Sequence, residues 1–319
     1  MRRLLVSVIV PTHRRFEMFS KCIQSLIDQD FDPDEFEIIA VHDGVDHDYN
    51  SKKIERLQSL FSNFSFHTIV KSGASGARNY AIEQARGELI LMTDDDCVAS
   101  SAWITTMVNF LNQNQDVVAV GGQVLAVTPK TFVEGYIKDK NLLRRPVRDV
   151  NGAIVTLITA NVAYRKTVLE IIGGFSVVYT KLRIPSGGED LDLAFRAAKV
   201  GILAYCQEAI VYHNHRSSVQ ALVKQHFNYG RGVFVACVNN HIEYQLVKFL
   251  RPTLQNLLLH SWASFIRIFS VSIPEFRTKH IPPWKWPAYF CLDLIRRNIF
   301  MVGAVYEFRQ HGGDSHEIR

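Results

Sequence analysis

No stretch of the 319-residue sequence reaches the roughly 18–20 uninterrupted apolar residues of a clear membrane span. Cysteine is scarce: Cys22, Cys97, Cys206, Cys237 and Cys291 are dispersed, with no short spacing between any two. An odd, scattered set argues against a disulfide framework and against a zinc site, and a reducing cytosol is its natural compartment. Internal repeats and low-complexity segments are missing as well, so neither a solenoid nor a disordered tail is expected. Charge of one sign is nearly balanced out at +5, which suits phosphate-bearing ligands or an anionic membrane surface. Nucleic acid is not among the expected partners. What is present is ordinary globular material, 47% hydrophobic and 21% charged. The length allows one large α/β domain with an appendage, or two small domains. The apolar run from Leu4 to Val10 is too brief for a signal peptide and ends at Pro11-Thr12-His13-Arg14-Arg15 without a small-residue cleavage site, so it reads as a buried first strand.

From there strand and helix patterns alternate. Leu5 to Val10 is a β-branched run of the kind covered on both faces of a sheet. Phe16, Phe19, Ile23, Leu26 and Ile27 recur at helical spacing; Glu37 to Val41 is a second strand; Ile54, Leu57 and Phe61 mark a second helix. Phe66 to Val70, the small-residue helix Ala74 to Ala85, Glu88 to Thr93, a helix through Trp103, Met107, Phe110 and Leu111, and Val117 to Val120 continue the alternation. This order predicts a doubly wound, mostly parallel sheet whose ligand lies beyond the carboxyl ends of the strands. Thr12, Asp43 and Asp94 to Asp96 fall at those ends. From about Thr128 to Asn151 the pattern weakens and charges cluster, which predicts a mobile loop. Strand and helix signals return at Ile154 to Ala163 and Asp190 to Val200, and beyond about Ser217 the chain reads as helical. The expected division is a catalytic domain over residues 1–230 and a helical region over 231–319.

Four groups of residues carry candidate chemistry. Thr93-Asp94-Asp95-Asp96-Cys97 follows an apolar strand. Three adjacent carboxylates repel one another, and nothing nearby in sequence is an obvious partner except a bound cation; hard oxygen ligands favour Mg2+ or Mn2+. A solvated acidic turn is the alternative. Gly187-Gly188-Glu189-Asp190 places acids at a helix start, where they serve as caps or as a general base. Gly73-Ala74-Ser75-Gly76-Ala77-Arg78-Asn79 enters a helix and offers backbone donors and a guanidinium to phosphate, or else makes a close helix–sheet contact. His213 and His215 stand two apart on an extended segment, as metal ligands or as structural residues.

Taken together with Val6-Ser7-Val8-Ile9-Val10-Pro11-Thr12, Val41-His42-Asp43-Gly44 and Gly173-Gly174-Phe175, these motifs stand in the order found in family 2 glycosyltransferases of the GT-A fold. The resemblance covers roughly residues 4–230. It implies an inverting enzyme that takes a sugar from a nucleotide diphosphate donor, with UDP-sugars as the first class. Pro11, Thr12 and Asp43 then hold the nucleobase, and Arg78 contacts the base or diphosphate. Asp94 and Asp95 lie along the nucleotide sugar, and Asp96 and His213 bind Mg2+ or Mn2+. Asn161 and Glu189 stand near the sugar, and Asp190 is the catalytic base. The chain departs from the family in reading His42-Asp43-Gly44-Val45 where members often read Asp-Asp-Gly-Ser. Two other classes compete. A sugar nucleotidyltransferase needs a glycine-rich, lysine-containing loop after the first strand, which Pro11-Thr12-His13-Arg14 is not. A non-catalytic nucleotide-binding protein has no use for both the acidic triplet and Asp190.

The C-terminal part has a character of its own. From Leu246 to Gln310 nine Lys or Arg stand against three acids, and Trp262, Trp284 and Trp286 are three of the four tryptophans. Leu254, Leu257, Leu258, Trp262, Phe265, Ile266 and Phe269 repeat at helical spacing, and Tyr289 to Phe308 is a second candidate helix. Basic and aromatic residues beside an apolar face suit an anionic membrane surface, and a glycan or lipid-linked acceptor at the inner face of the cell membrane. A helical cap, or the interface of a homodimer, is the other reading.

Overall fold

The computed structural model describes residues 4–44, 49, 51–142, 146–148, 151–184, 187–241 and 271–310. The strands are β1 (Val6–Thr12), β2 (Phe36–Asp43), β3 (Phe64–Ile69), β4 (Leu89–Met92), β5 (Cys97–Ala99), β6 (Val117–Ala126), β7 (Val162–Arg165) and β8 (Ile202–His213). The helices are α1 (Phe16–Ile27), α2 (Ser51–Gln58), α3 (Gly73–Gln84), α4 (Trp103–Gln113), α5 (Phe132–Lys140), α6 (Lys166–Ile172), α7 (Val178–Lys181), α8 (Glu189–Ala197), α9 (Val219–Asn239) and, last, α10 (Trp286–Gln310). By internal contacts the chain forms two compact units. The first comprises Met1–Val127, Leu143–Arg183 and Glu189–Asn214; the second comprises Thr128–Leu142, Ile184–Gly188 and His215–Arg319.

The first unit holds one sheet in the order β3-β2-β1-β4-β7-β6-β8-β5. β3, β2, β1 and β4 run parallel; β7 is antiparallel to both β4 and β6; β6 and β8 are parallel, and β5 is antiparallel to β8. The expected mostly parallel, doubly wound sheet is therefore present. Alternation along β1 and β2 builds its two faces. Val6, Val8, Val10, Ile38 and Ala40 point into a core with α1, α2 and α4, while Ile9, Ile39 and Val41 point into a second core with α3, α6 and α8. Side chains such as Ile9, Ile23 and Leu26 are wholly buried, each stabilising the fold by about 1.5–3 kcal/mol. At the amino ends of the strands Glu37 accepts from Ser7 Oγ at 2.7 Å and from the Arg86 backbone and guanidinium at 2.7–2.9 Å, so its buried carboxylate is fully engaged.

The second unit corrects one expectation. The segment from Thr128 to Asn151 is not simply a loop: it contains α5, opened by a capping box in which Thr131 Oγ1 accepts from Glu134 N and the Glu134 carboxylate accepts from Thr131 N. That pairing satisfies two end donors and outweighs the weak periodicity. Val133, Tyr136 and Ile137 of α5 share a core with Leu222, Phe276, Tyr289 and Leu292. α9 and α10 meet along glycines: a Cβ on Gly230 would lie 1.8 Å from Phe300 O, and one on Gly303 would lie 2.0 Å from Phe227 O. Asp293 of α10, read from sequence as part of a membrane-facing surface, is fully buried and bonded to Lys140, Tyr136 and Ser272. The periodic segment Leu254 to Phe269, with Trp262, lies outside the described residues. Among the described residues no helix is long and apolar enough to cross a membrane.

Candidate active site

Parallel register brings the acidic triplet to Thr12, with Asp43 at the end of the neighbouring strand. β1 lies between β2 and β4, with Thr12 opposite His42 and Ile9 opposite Met92. Thr12 Oγ1 donates to Asp95 Oδ2 at 2.8 Å. The same hydroxyl lies 2.5 Å from Tyr49 OH, and the Tyr49 ring stacks on His42 at 4.3 Å. Pro11, in the same strand, is partly exposed. Asp43 ends β2 and accepts from Ser72 N at 2.6 Å and Gly73 N at 3.1 Å. It thus serves the amino end of α3, where unpaired N–H groups favour a carboxylate.

His213 reaches the triplet through the pairing of β5 with β8, which sets Cys97 opposite His213. His213 Nε2 stands 3.2 Å from Asp96 Oδ1, and Asn214 donates twice to the Asp96 carbonyl, at 2.9 and 3.0 Å. One ligand atom each from Asp96, Cys97 and His213 lie within 4.8 Å of one another. A carboxylate and an imidazole converging on a buried, acidic point fit a divalent cation. Burial pushes the Cys97 thiol well above its usual range, so Asp96 and His213 are the better donors.

The sequence suggested that the triplet lacks a charge partner. Two arginines correct that. Arg15, just after β1 at the amino end of α1, places Nη2 2.5 Å from Asp95 Oδ1 and bonds Asp96 Oδ2 through Nη1. Arg14 before it takes a left-handed backbone, φ 54°, in the turn between strand and helix. Arg78, buried in α3, donates from Nη2 to Asp94 Oδ1 at 2.8 Å and lies 3.5 Å from Glu189 Oε1. Burial opposes its charge, but Asp94 and Glu189 outweigh burial and hold the guanidinium protonated. Even so, burial raises the Asp95 carboxyl to about 7 against the pull of Arg15.

Glu189 and Asp190 open α8, next to the left-handed glycines Gly187 and Gly188. Burial, then the neighbouring Glu189 charge, raises the Asp190 carboxyl to about 7. It accepts from Leu191 N at 2.8 Å. A carboxylate held near neutrality can take a proton at physiological pH. Asn161 is placed differently from the rest. It is wholly buried, accepts from Trp103 Nε1 at 2.8 Å and donates to the carbonyls of Gln123 and Ala209, so it braces β6 and β8. Arg15, Tyr49 and Cys97 were not singled out from the sequence; for Arg15 the available signal was a second arginine directly beyond the first strand end.

Comparison with known proteins shows the family and the fold. The glucosyl-dolichyl phosphate glucuronosyltransferase of Haloferax volcanii is 28% identical over 180 residues, which is 53% of this chain and 55% of that protein. The chain therefore spans little more than half the length of that relative. Glycosyltransferase AglE of the same organism is 28% identical over 233 residues, 71% of this chain and 72% of that protein. Among solved structures, the mannosyltransferase PcManGT from Pyrobaculum calidifontis in complex with GDP-Man and Mn2+ superimposes with a TM-score of 0.64 over 97% of this chain and 88% of that one, at 16% identity. Residues 7–173, more than half of the chain, match the family model for glycosyl transferase family 2, and the chain belongs to that family.

Proposed function

We propose that the chain transfers a sugar from a nucleotide diphosphate donor, with UDP-sugars the first class to test, to an acceptor hydroxyl with inversion at the anomeric carbon. The observation that carries this reading is the convergence, within the first unit, of the triplet and His213 with a base-competent Asp190. Thr12 and Asp43, at the ends of β1 and β2, would hold the nucleobase, and Asp43 Oδ2, which accepts from Gly73 N, has capacity for a further donor. Asp94 and Asp95 would line the nucleotide sugar, and Asp96 with His213 would hold a divalent cation. That cation, when bound, supplies charge neutralisation to the diphosphate leaving group. Arg78 keeps Asp94 and Glu189 in place with a buried positive charge, and Glu189 in turn keeps the proton affinity of Asp190 high. Asp190 takes the acceptor hydroxyl proton as that oxygen attacks the anomeric carbon; the diphosphate leaves from the opposite side. One displacement inverts the configuration, and no covalent sugar–enzyme bond is needed.

Support for the donor class includes the GDP-Man and Mn2+ held by the mannosyltransferase of similar fold. The dolichyl-linked substrate named for the Haloferax relative supports a lipid-linked acceptor, and with it work at a membrane surface. The test is a screen of sugar nucleotides and acceptors read by mass spectrometry. Release of nucleoside diphosphate with a glycosylated product supports transfer. Pyrophosphate release would replace the reading with nucleotidyl transfer, and binding without turnover would leave a nucleotide-binding protein. Sedimentation with neutral and anionic liposomes tests the membrane part separately.

A further inference from the structure

Arg15 has no part in the reaction as derived above, yet it makes the most direct contacts with the triplet. Its guanidinium fork divides between two carboxylates, Nη2 on Asp95 Oδ1 at 2.5 Å and Nη1 on Asp96 Oδ2. His213 faces the other oxygen of the same Asp96 group at 3.2 Å. Asp96 is thus shared by an imidazole and a fixed cation at the position where the proposed function needs a mobile one. The two arginines of the cluster differ in freedom. The Arg78 side chain is 4% exposed and that of Arg15 34% exposed, so Arg15 can leave its partners without opening the core.

We propose that Arg15 is the built-in counter-cation of Asp95 and Asp96 in the donor-free protein, and that it shifts from Asp96 to the donor diphosphate when nucleotide and cation arrive together. The physical reason is competition. A guanidinium and a divalent cation repel each other and seek the same carboxylate, so free cation must displace Arg15 at the cost of a charge-assisted pair. When a diphosphate arrives with the cation, the displaced guanidinium finds anionic oxygens in the planar, two-point geometry it fits best. Binding of cation and nucleotide is therefore cooperative, and Arg15 is the positioning residue that makes it so. The proposal rests on Asp96 and His213 being the cation ligands.

The experiment is calorimetric titration of the full chain with Mn2+ alone, then with Mn2+ in saturating UDP or GDP. It compares wild type, Arg15→Gln, Arg15→Lys and Asp96→Ala, with circular dichroism confirming the fold of each. Wild type should bind Mn2+ weakly alone and about 5–150-fold more tightly with nucleotide, the usual range of coupling between two ligands. Arg15→Gln should bind Mn2+ alone more tightly than wild type and lose most of that coupling. Arg15→Lys keeps the charge but not the fork, so weak Mn2+ binding should persist with reduced coupling. Unchanged Mn2+ affinity and unchanged coupling in folded Arg15→Gln would overturn the proposal; if that variant does not fold, unchanged coupling in Arg15→Lys does so. Asp96→Ala separates the two layers. If it binds Mn2+ with nucleotide as wild type does, the cation-ligand assignment itself fails, and the Arg15 proposal with it.

Discussion

Each compact unit buries a cluster of charge, and the two clusters are compensated to different degrees. In the first unit, Asp94, Asp95, Asp96, Glu189 and Asp190 face Arg15 and Arg78, and burial leaves Asp95 and Asp190 raised to about 7. In the second unit, Asp293 and Glu275 face Lys140, Lys279 and Arg296, with Tyr136 and Ser272 completing the bonds. There burial also works against the carboxylates, but hydrogen bonds from lysine and the surrounding charge override it, and both stay below their ordinary range. One cluster is closed and self-sufficient. The other has an excess of negative charge, as a site that awaits a cationic or proton-donating partner must. The difference separates a structural ion network from a candidate catalytic one without reference to sequence motifs.

Breaking the open cluster should change chemistry more than folding. Asp190→Asn keeps the shape and removes the base, and we expect turnover to fall by about 10²–10⁴-fold while donor binding survives. Turnover and donor affinity, measured on the same preparation, decide this; near-normal turnover would move the base to Glu189 or Asp192. Breaking the closed cluster should do the reverse. Asp293→Ala leaves Lys140 without its fully buried carboxylate partner and should cost about 3–5 kcal/mol of stability by urea unfolding. A cost under about 1 kcal/mol would mean that Glu275 alone suffices.

The two clusters also respond to pH in opposite directions. Asp190 is raised from 3.8 to about 7, so the folded state holds its proton more tightly than the unfolded chain does. Its contribution to stability is complete below about pH 4 and is lost as pH climbs through about 7. Asp293 is lowered, so its contribution is present above its ordinary value and is lost as pH falls through the folded one. Urea midpoints across pH should therefore show opposite slopes that shrink separately in Asp190→Asn and Asp293→Asn, with Asp95 and Glu275 supplying the remainder. Activity should rise about tenfold per pH unit below 7 and level off above it, because only the ionised base accepts a proton. A smaller effect is expected at Gly232, where a Cβ would lie 1.7 Å from Gly187 O and 2.4 Å from Gly187 C, both backbone atoms. Gly232→Ala should cost about 1–3 kcal/mol, the range for overpacking, and the unfolding midpoint checks it.

β1 to β4 and the start of β6 were legible because they are short apolar runs, and Thr12, Asp43 and the triplet because they stand directly after such runs; β5 and β8 were not legible in this way. α5 was missed because its signal lies in the Thr131 and Glu134 cap and not in periodicity. The partners of the triplet were missed for a different reason. Arg78 lies 16 positions from Asp94, and Arg15 lies 81 from Asp96, so only the parallel register brings them together. Asn161 was matched to the sugar site by its place in the motif order, whereas the structure gives its amide to Trp103, Gln123 and Ala209. Polar residues just inside a strand end and just beyond it look alike in sequence.

The short pairing of β5 with β8 has a consequence for how the protein comes into being. Asn214 clasps the Asp96 carbonyl across 118 residues of chain, and His213 beside it has no other route to the triplet than the closure of β8. Contacts of such separation close late, because the loop entropy must be met before they contribute. On a ribosome, Asp94 to Asp96 emerge long before their imidazole partner has been made. A nascent chain halted before β8 should therefore have its first four parallel strands in place and still lack the cation site.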